Sequence, residues 1–311
     1  MEELSFLSPQ NMSSTINKMM LQDLQLWSCA FYLLIFIILI IVFFCDGGRE
    51  TVTYHGKFLF YYFVVSLSAV GFSLIFVFNA KNVKNCWYAA DFLKRLGGLL
   101  GIKWEERDMQ NMLEGGAIVI ANHQSSLDLL GMFQIWRVMG KVTAIAKKEL
   151  FYIWPFGFCA WLAGVVFIDR TNASKSYNVL KETAKLTQRD ETKLFFFPEG
   201  TRNAKVNNTK QLLPFKKGAF RLAISTQVPI LPVVFSPYYF INSERRHFGQ
   251  GKVIIKALPA IPTTNLTDSD VEDLMKRAYN AMQGVFHELC AEITATLPDD
   301  HYMRKVEETE N

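Results

Sequence analysis

His123 and Asp128 stand five residues apart in Ala121-Asn122-His123-Gln124-Ser125-Ser126-Leu127-Asp128, directly after an apolar run. Five residues turn about 500° on an ideal helix, which leaves the two side chains roughly 140° apart. The pair meets only if His123 sits in a turn and Asp128 in the first helical turn, capped by Ser125 or Ser126. In that arrangement a carboxylate holds one imidazole nitrogen and leaves the other free to take a proton. A substrate that brings its own hydroxyl then needs no Ser or Cys nucleophile. The same letters also suit a plain turn with a helix cap, because H-x-x-x-x-D is a common spacing.

Three more charged turns follow apolar runs. Leu194-Phe195-Phe196-Phe197-Pro198-Glu199-Gly200-Thr201-Arg202 ends a hydrophobic stretch at a Pro, and a Gly turn then presents Glu, Thr and Arg together. Amides freed at such a turn bind anions, and Arg offers a planar fork for phosphate. A surface ion pair between Glu199 and Arg202 is the plainer alternative. Gly164-Val165-Val166-Phe167-Ile168-Asp169-Arg170 repeats the pattern, with Arg170 as a second phosphate ligand or a solvated cation. In Leu213-Pro214-Phe215-Lys216-Lys217-Gly218 two lysines open a helix and either greet an anion or line a wet face. The run Val228-Pro229-Ile230-Leu231-Pro232-Val233 reads as architecture.

The elements that must position these turns alternate. Strands are expected at 117–121, 142–146, 165–168, 194–197, 230–235 and 253–257, with helices at 125–139, 174–189 and 214–226. Alternation of this kind implies an α/β fold, a layered αβα domain around a mostly buried sheet. Its site then lies at one sheet edge, where the charged turns converge. After Pro262, DSDVEDLMKRAYNAMQGVFHEL has Asp and Ser caps and 3–4 apolar spacing, and is expected to be a closing amphipathic helix.

The chain has 311 residues, half of them hydrophobic, and five Cys with no C-x-x-C pair. That composition excludes a disordered chain, a coiled coil, a disulfide miniprotein and the usual zinc signatures. Nucleic-acid binding is not expected, since no interleaved basic and aromatic stretch occurs. The apolar excess has an address. Leu24–Cys45 gives 22 uncharged residues and Phe58–Ala80 gives 23, each meeting the roughly 20 that a helix needs to cross a bilayer core.

The expected organisation is a polar leader at 1–23, membrane-embedded helices at about 24–45 and 58–80 joined by a loop at 46–57, a catalytic domain at 81–297 and a charged tail at 298–311. The second run also suits a shallow hairpin arm. Residues 1–80 hold three Lys/Arg against five Asp/Glu, so the remainder carries 30 against 24, a charge of +6 that favours anionic lipid or phosphorylated substrates. Lys81, Lys84, Lys94 and Arg95 favour the cytosol for that body, in which case the sequons at Asn172, Asn207 and Asn265 stay free of glycan. The state of Asn11, also a sequon, reports the N-terminal side.

Taken in order, N-H-x-x-x-x-D, F-I-D-R, F-P-E-G-T-R and V-P-I-L-P-V resemble the glycerolipid acyltransferase superfamily. Within it NHQSSLD, CWLAGVVFIDR, FPEGTRN, LPFKKGAF and QVPILPV look like the eukaryotic 1-acylglycerol-3-phosphate acyltransferases, across residues 80–290. The resemblance implies transfer of a fatty acyl group from acyl-CoA to the sn-2 hydroxyl of lysophosphatidic acid, giving phosphatidic acid. It implies His123 as general base and Asp128 as its orienting carboxylate. Glu199, Gly200, Thr201 and Arg202 would form the acceptor site, with Arg202 and Arg170 on the phosphate. No metal and no cofactor are implied, acyl-CoA being a substrate, and the expected setting is the bilayer of the endoplasmic reticulum. Glycerol 3-phosphate or another lysophospholipid as acceptor is the nearest alternative. A non-catalytic lipid-binding protein that keeps the fold is the alternative of a different class.

Overall fold

This computed structural model describes residues 48–112, 114–169, 171, 173–298 and 301. The expected first membrane helix at 24–45 lies outside them, as do Asn11, Arg170 and Asn172. The described chain divides into two compact units, one of 48–57 with Ser243–Phe248 and one holding the rest from Phe58 onward. In the smaller unit the Lys57 ammonium sits 4.6 Å over the Phe248 ring.

The larger unit is built on seven strands: β1 Ile102–Arg107, β2 Ile118–Ala121, β3 Val142–Lys147, β4 Val166–Ile168, β5 Lys193–Phe196, β6 Ile230–Phe235 and β7 Gly251–Ala257. Their order across the sheet is β1-β7-β6-β2-β5-β3-β4. The five strands from β6 to β4 run parallel, with β2 in register with both β5 (Ile118 opposite Leu194) and β6 (Ile118 opposite Ile230). β7 joins β6 antiparallel and β1 joins β7 parallel, so one end of the sheet is reversed.

Parallel strands need crossover helices on both faces, which is why β2, β5 and β6 are buried at every residue. α1 Gly48–Phe76, α2 Asn85–Leu99, α3 Asp128–Ile135, α4 Phe156–Leu162, α5 Ala173–Arg189, α6 Gly218–Thr226 and α7 Val271–Thr296 supply the layers. Leu180 of α5, Phe220 of α6 and Phe286 of α7 share one core cluster with Ile118, Ile120 and Val234. Neighbouring Val119 and Phe235 are one residue out of phase and so face the other side, where α3 lies with Gly131 against Trp104 and Phe235.

Helices α2 and α4 add to the expected set, and two further elements differ from expectation. β1 was not anticipated, since Ile102-Lys103-Trp104-Glu105-Glu106-Arg107 is mostly charged. It is an edge strand whose charges find partners. Arg107 grips Glu292 of α7 with two nitrogens at 2.6 and 2.7 Å, and Lys252 of β7 reaches Glu105 at 2.9 Å. The loop expected at 46–57 is helical from Gly48, because Arg49, Glu50 and Lys57 end an apolar run without ending a helix and no Pro interrupts it. With the 3-10 turn Val77–Asn79, α1 forms a 32-residue apolar helix long enough to cross a membrane. Tyr61, Val65, Ala69 and Phe76 form its buried stripe, while Leu59, Phe63, Leu67, Leu74 and Phe78 face outward.

Candidate active site

β2 stops at Ala121 because Asn122 turns its side chain, rather than its backbone, to the sheet. The Asn122 amide donates to the Phe235 carbonyl at 3.0 Å and its oxygen accepts the Phe235 N–H at 2.8 Å. Gln124 adds bonds from its amide to the carbonyls of Phe235 (3.2 Å) and Ser236 (3.0 Å). The chain between these two anchors must bow away from the sheet, and His123 is the residue at the bow. α3 then begins at Asp128, in its first turn, as the spacing requires. The expected serine cap is not formed: Leu127 holds the N-cap position with no side-chain cap bond, and Ser125 Oγ instead accepts the Leu127 N–H at 3.3 Å in the turn before it.

His123 Nδ1 lies 2.6 Å from Asp128 Oδ2. That same oxygen accepts the N–H groups of Gln124 at 2.6 Å and Ser125 at 3.0 Å, so the carboxylate is fixed by the loop it orients. The Asp128 side chain is 1% exposed and that of His123 is 23% exposed. One end of the imidazole is therefore anchored in the protein and the other is open. The ring also stacks on Phe197 with centroids 4.0 Å apart. Asp128 Oδ1 and the Tyr238 hydroxyl are buried close to each other, neither making a hydrogen bond of standard geometry among the described residues. Burial, and then the Asp128 charge, push the Tyr238 phenol well above its ordinary range.

The second motif comes to the same place from β5. Phe197-Pro198-Glu199-Gly200 is a tight turn closed by Gly200 N–H on the Phe197 carbonyl at 3.1 Å. Gly200 has φ +75°, the left-handed region that favours glycine. Glu199 points inward: Oε1 accepts the His123 N–H at 2.7 Å and Oε2 the Leu213 N–H at 2.8 Å. Asn203 N–H donates to the His123 carbonyl at 2.7 Å. Both backbone groups of His123 are thus held by the segment after β5. Burial pushes the Glu199 carboxyl up to about 7, although the two amides and His123 pull it down. No surface ion pair with Arg202 is made here, since Glu199 is buried on backbone amides.

Thr201 and Arg202 are exposed beside this turn. Arg202 is within electrostatic reach of Tyr61, whose hydroxyl donates to the Ser126 carbonyl at 2.8 Å, while that of Tyr62 meets Ser126 Oγ at 2.9 Å. The cation and the apolar helix α1 therefore share the face on which the His123 loop opens. Lys217 is committed to Glu272 on α7, and Lys216 is exposed next to Pro198, whose carbonyl accepts its N–H at 2.8 Å.

β2, β4, β5 and β6 all deliver their turns at one carboxyl edge. His123, Asp128, Glu199 and Gly200 are brought together; Thr201 and Arg202 form the rim. Five participants were not picked out as site residues from the sequence: Asn122 and Gln124 flank the histidine, Phe197 precedes the Pro, and Tyr61 and Tyr238 lie far along the chain with no local signal. A histidine held at Nδ1 by a buried carboxylate, with its far nitrogen open beside an exposed arginine, can deprotonate a hydroxyl on an anionic substrate.

Residues 102–236 match the family model described as Acyltransferase. The human 1-acyl-sn-glycerol-3-phosphate acyltransferase alpha is 35% identical over 275 residues, covering 86% of this chain and 94% of that protein. The human beta enzyme is 33% identical over 267 residues, covering 85% and 92%. Among solved structures, the 1-acyl-sn-glycerophosphate (LPA) acyltransferase PlsC from Thermotoga maritima superposes with a TM-score of 0.61 at 23% identity. That superposition covers 79% of this chain and 99% of that one, a likeness of fold.

Proposed function

The chain belongs to the 1-acyl-sn-glycerol-3-phosphate acyltransferase family, and from that premise we propose that it moves a fatty acyl group from acyl-CoA to the sn-2 hydroxyl of lysophosphatidic acid, forming phosphatidic acid for phospholipid and triacylglycerol synthesis. The observation that carries the reading is the 2.6 Å bond from His123 Nδ1 to a carboxylate that is itself immobilised by two loop amides. Nε2 accepts the acceptor hydroxyl proton as the oxygen attacks the thioester carbonyl. The imidazolium, stabilised by Asp128, returns that proton to the departing CoA thiolate as the tetrahedral intermediate collapses. Proton transfer of this kind contributes roughly 100- to 10,000-fold in rate.

Arg202, with Arg170, clamps the acceptor phosphate, and Gly200 and Thr201 shape the turn that carries Arg202. Glu199 acts through His123, holding its amide, rather than by touching the acceptor. Acyl-CoA is consumed as a substrate, so no cofactor is required. The 32-residue apolar helix ending at Asn79 supports a bilayer setting, and the reading carries an endoplasmic reticulum location with the domain on the cytosolic side.

Radiolabelled acyl transfer tests it, in membranes expressing wild type or His123→Ala, with oleoyl-CoA and lysophosphatidic acid, glycerol 3-phosphate or lysophosphatidylcholine in parallel. Phosphatidic acid from wild type, lost in a normally expressed variant, is expected. Activity confined to another acceptor overturns the substrate and keeps the base. Equal rates above an empty-vector control overturn the role of His123.

A further inference from the structure

The segment after β3 does not hide its apolar side chains. Trp154 is 74% exposed, Tyr152 69% and Ile153 55%, and Leu150, Phe151 and Phe158 are each more than a third open. Its shape is nevertheless built. Gly157 lies so close to the preceding turn that a Cβ there would stand 2.1 Å from the Phe151 carbonyl oxygen and 2.4 Å from that of Leu150. Gly157 N–H donates to the Ile153 carbonyl at 2.8 Å, and the Phe151 ring packs edge-on against Phe167 of β4 at 5.6 Å. A rigid turn that holds three large apolar groups in water loses their burial energy unless something covers them.

What covers them is indicated by the neighbours. α4, which follows directly, sets Cys159 against Ser73 of α1. The α4 carbonyl of Leu162 accepts bonds from Lys81 N–H at 2.7 Å and from the Asn85 amide at 3.1 Å. The exposed turn is therefore continuous, through packed residues, with the end of the apolar helix α1. Its margin carries Lys147 and Lys148, paired with Glu149 and Asp169, on a body whose net charge is +6. Lys147 and Lys148 are each 51% exposed, leaning on carboxylates at 3.5 Å. Aromatic and aliphatic tips ringed by lysine stems are the composition of a headgroup boundary. The turn also leaves β3 at the carboxyl edge that bears His123.

We propose that residues 150–154 insert into the headgroup–acyl boundary of a leaflet containing anionic phospholipid, the same leaflet that covers the outer face of α1. The partner is the bilayer surface. Insertion turns the carboxyl edge of the sheet towards the lipid from which the acceptor must be drawn. This inference deepens the membrane reading above and rests on it.

The test uses the full chain reconstituted in phosphatidylcholine–phosphatidylglycerol vesicles, with or without phosphatidylcholine brominated on its acyl chains. Subtracting the spectrum of Trp154→Phe from that of wild type isolates the emission of Trp154. Brominated lipid is expected to quench that share roughly twofold or more, and phosphatidylglycerol to deepen the quenching. In parallel, Tyr152→Ser/Ile153→Ser/Trp154→Ser should lose roughly tenfold in rate on vesicle-borne lysophosphatidic acid while keeping its rate on a water-soluble short-chain acceptor.

Unquenched Trp154 in a chain that floats with the vesicles overturns the insertion and spares the membrane reading. A chain that does not associate with vesicles overturns both. Loss of quenching together with cross-linked dimers assigns the face to a second copy and overturns it. Equal loss on both acceptors, or none on either, counts against it as well.

Discussion

Glu199→Gln separates a carboxylate that holds the catalytic loop from one that binds substrate. The two Glu199 oxygens accept N–H groups of His123 at 2.7 Å and Leu213 at 2.8 Å. Glutamine retains one acceptor and turns an NH2 towards the other N–H, so one bond is lost and a buried donor is left facing a donor. That costs roughly 1–3 kcal/mol, or about 3–10 °C in Tm for a domain of this size. The activity assay should show kcat falling with KM for lysophosphatidic acid nearly constant, since what changes is the position of His123. A carboxylate that faced the phosphate would repel it, and its neutralisation would lower KM instead. Unchanged Tm with a shifted KM refutes the argument.

The pH dependence supplies a second arm. Glu199 is raised from 4.5 to about 7 in the folded state, so the folded chain binds this proton more tightly than the unfolded one. The associated stability, of order 3 kcal/mol, is complete below pH 4.5 and is lost as pH rises through about 7. Thermal melts from pH 4.5 to 7.5 should show this slope in wild type and a flatter one in Glu199→Gln.

Three further outcomes are expected. Tyr238→Phe should leave Tm within about 1 °C, because the hydroxyl makes no hydrogen bond of standard geometry among the described residues. Its kcat should nevertheless drop several-fold, because the phenol lies against the Asp128 carboxylate that orients His123, and the pH–rate profile is the readout that a purely structural role would not move. Gly200→Ala should destabilise by roughly 1–2 kcal/mol, since φ +75° is unfavourable for a Cβ, and chemical denaturation measures it. Arg202→Gln should raise KM for lysophosphatidic acid more than it lowers kcat, with Tm unaffected for so exposed a side chain; an unchanged KM removes Arg202 from the phosphate.

The sheet was largely legible because buried parallel strands carry an unmixed apolar run, as in Ile118–Ala121 and Ile230–Phe235. β1 was not, since an edge strand is stabilised by pairing and by partners far off in sequence: Glu292, the main partner of Arg107, is 185 residues away. The His123–Asp128 encounter could be argued from helical geometry alone. The direction of Glu199 could not, because Glu-Gly-Thr-Arg in a turn is equally consistent with a carboxylate facing out or in. What decides is the unsatisfied amide of His123 behind it. The Asn122 bonds to Phe235 span 113 residues and leave no periodic trace.

The way His123 is mounted has a consequence for transplanting such a site. Its loop is held from both neighbouring strands, mostly by side chains on main-chain atoms: the Asn122 and Gln124 amides on Phe235 and Ser236 at the end of β6 on one side, the Glu199 carboxylate and the Asn203 N–H from the segment after β5 on the other. The smallest portable unit is therefore the ends of three adjacent strands, not the seven letters between Asn122 and Asp128. A graft of those letters onto another parallel sheet would carry the acid–base pair without its mounting, and would give an imidazole free to wander.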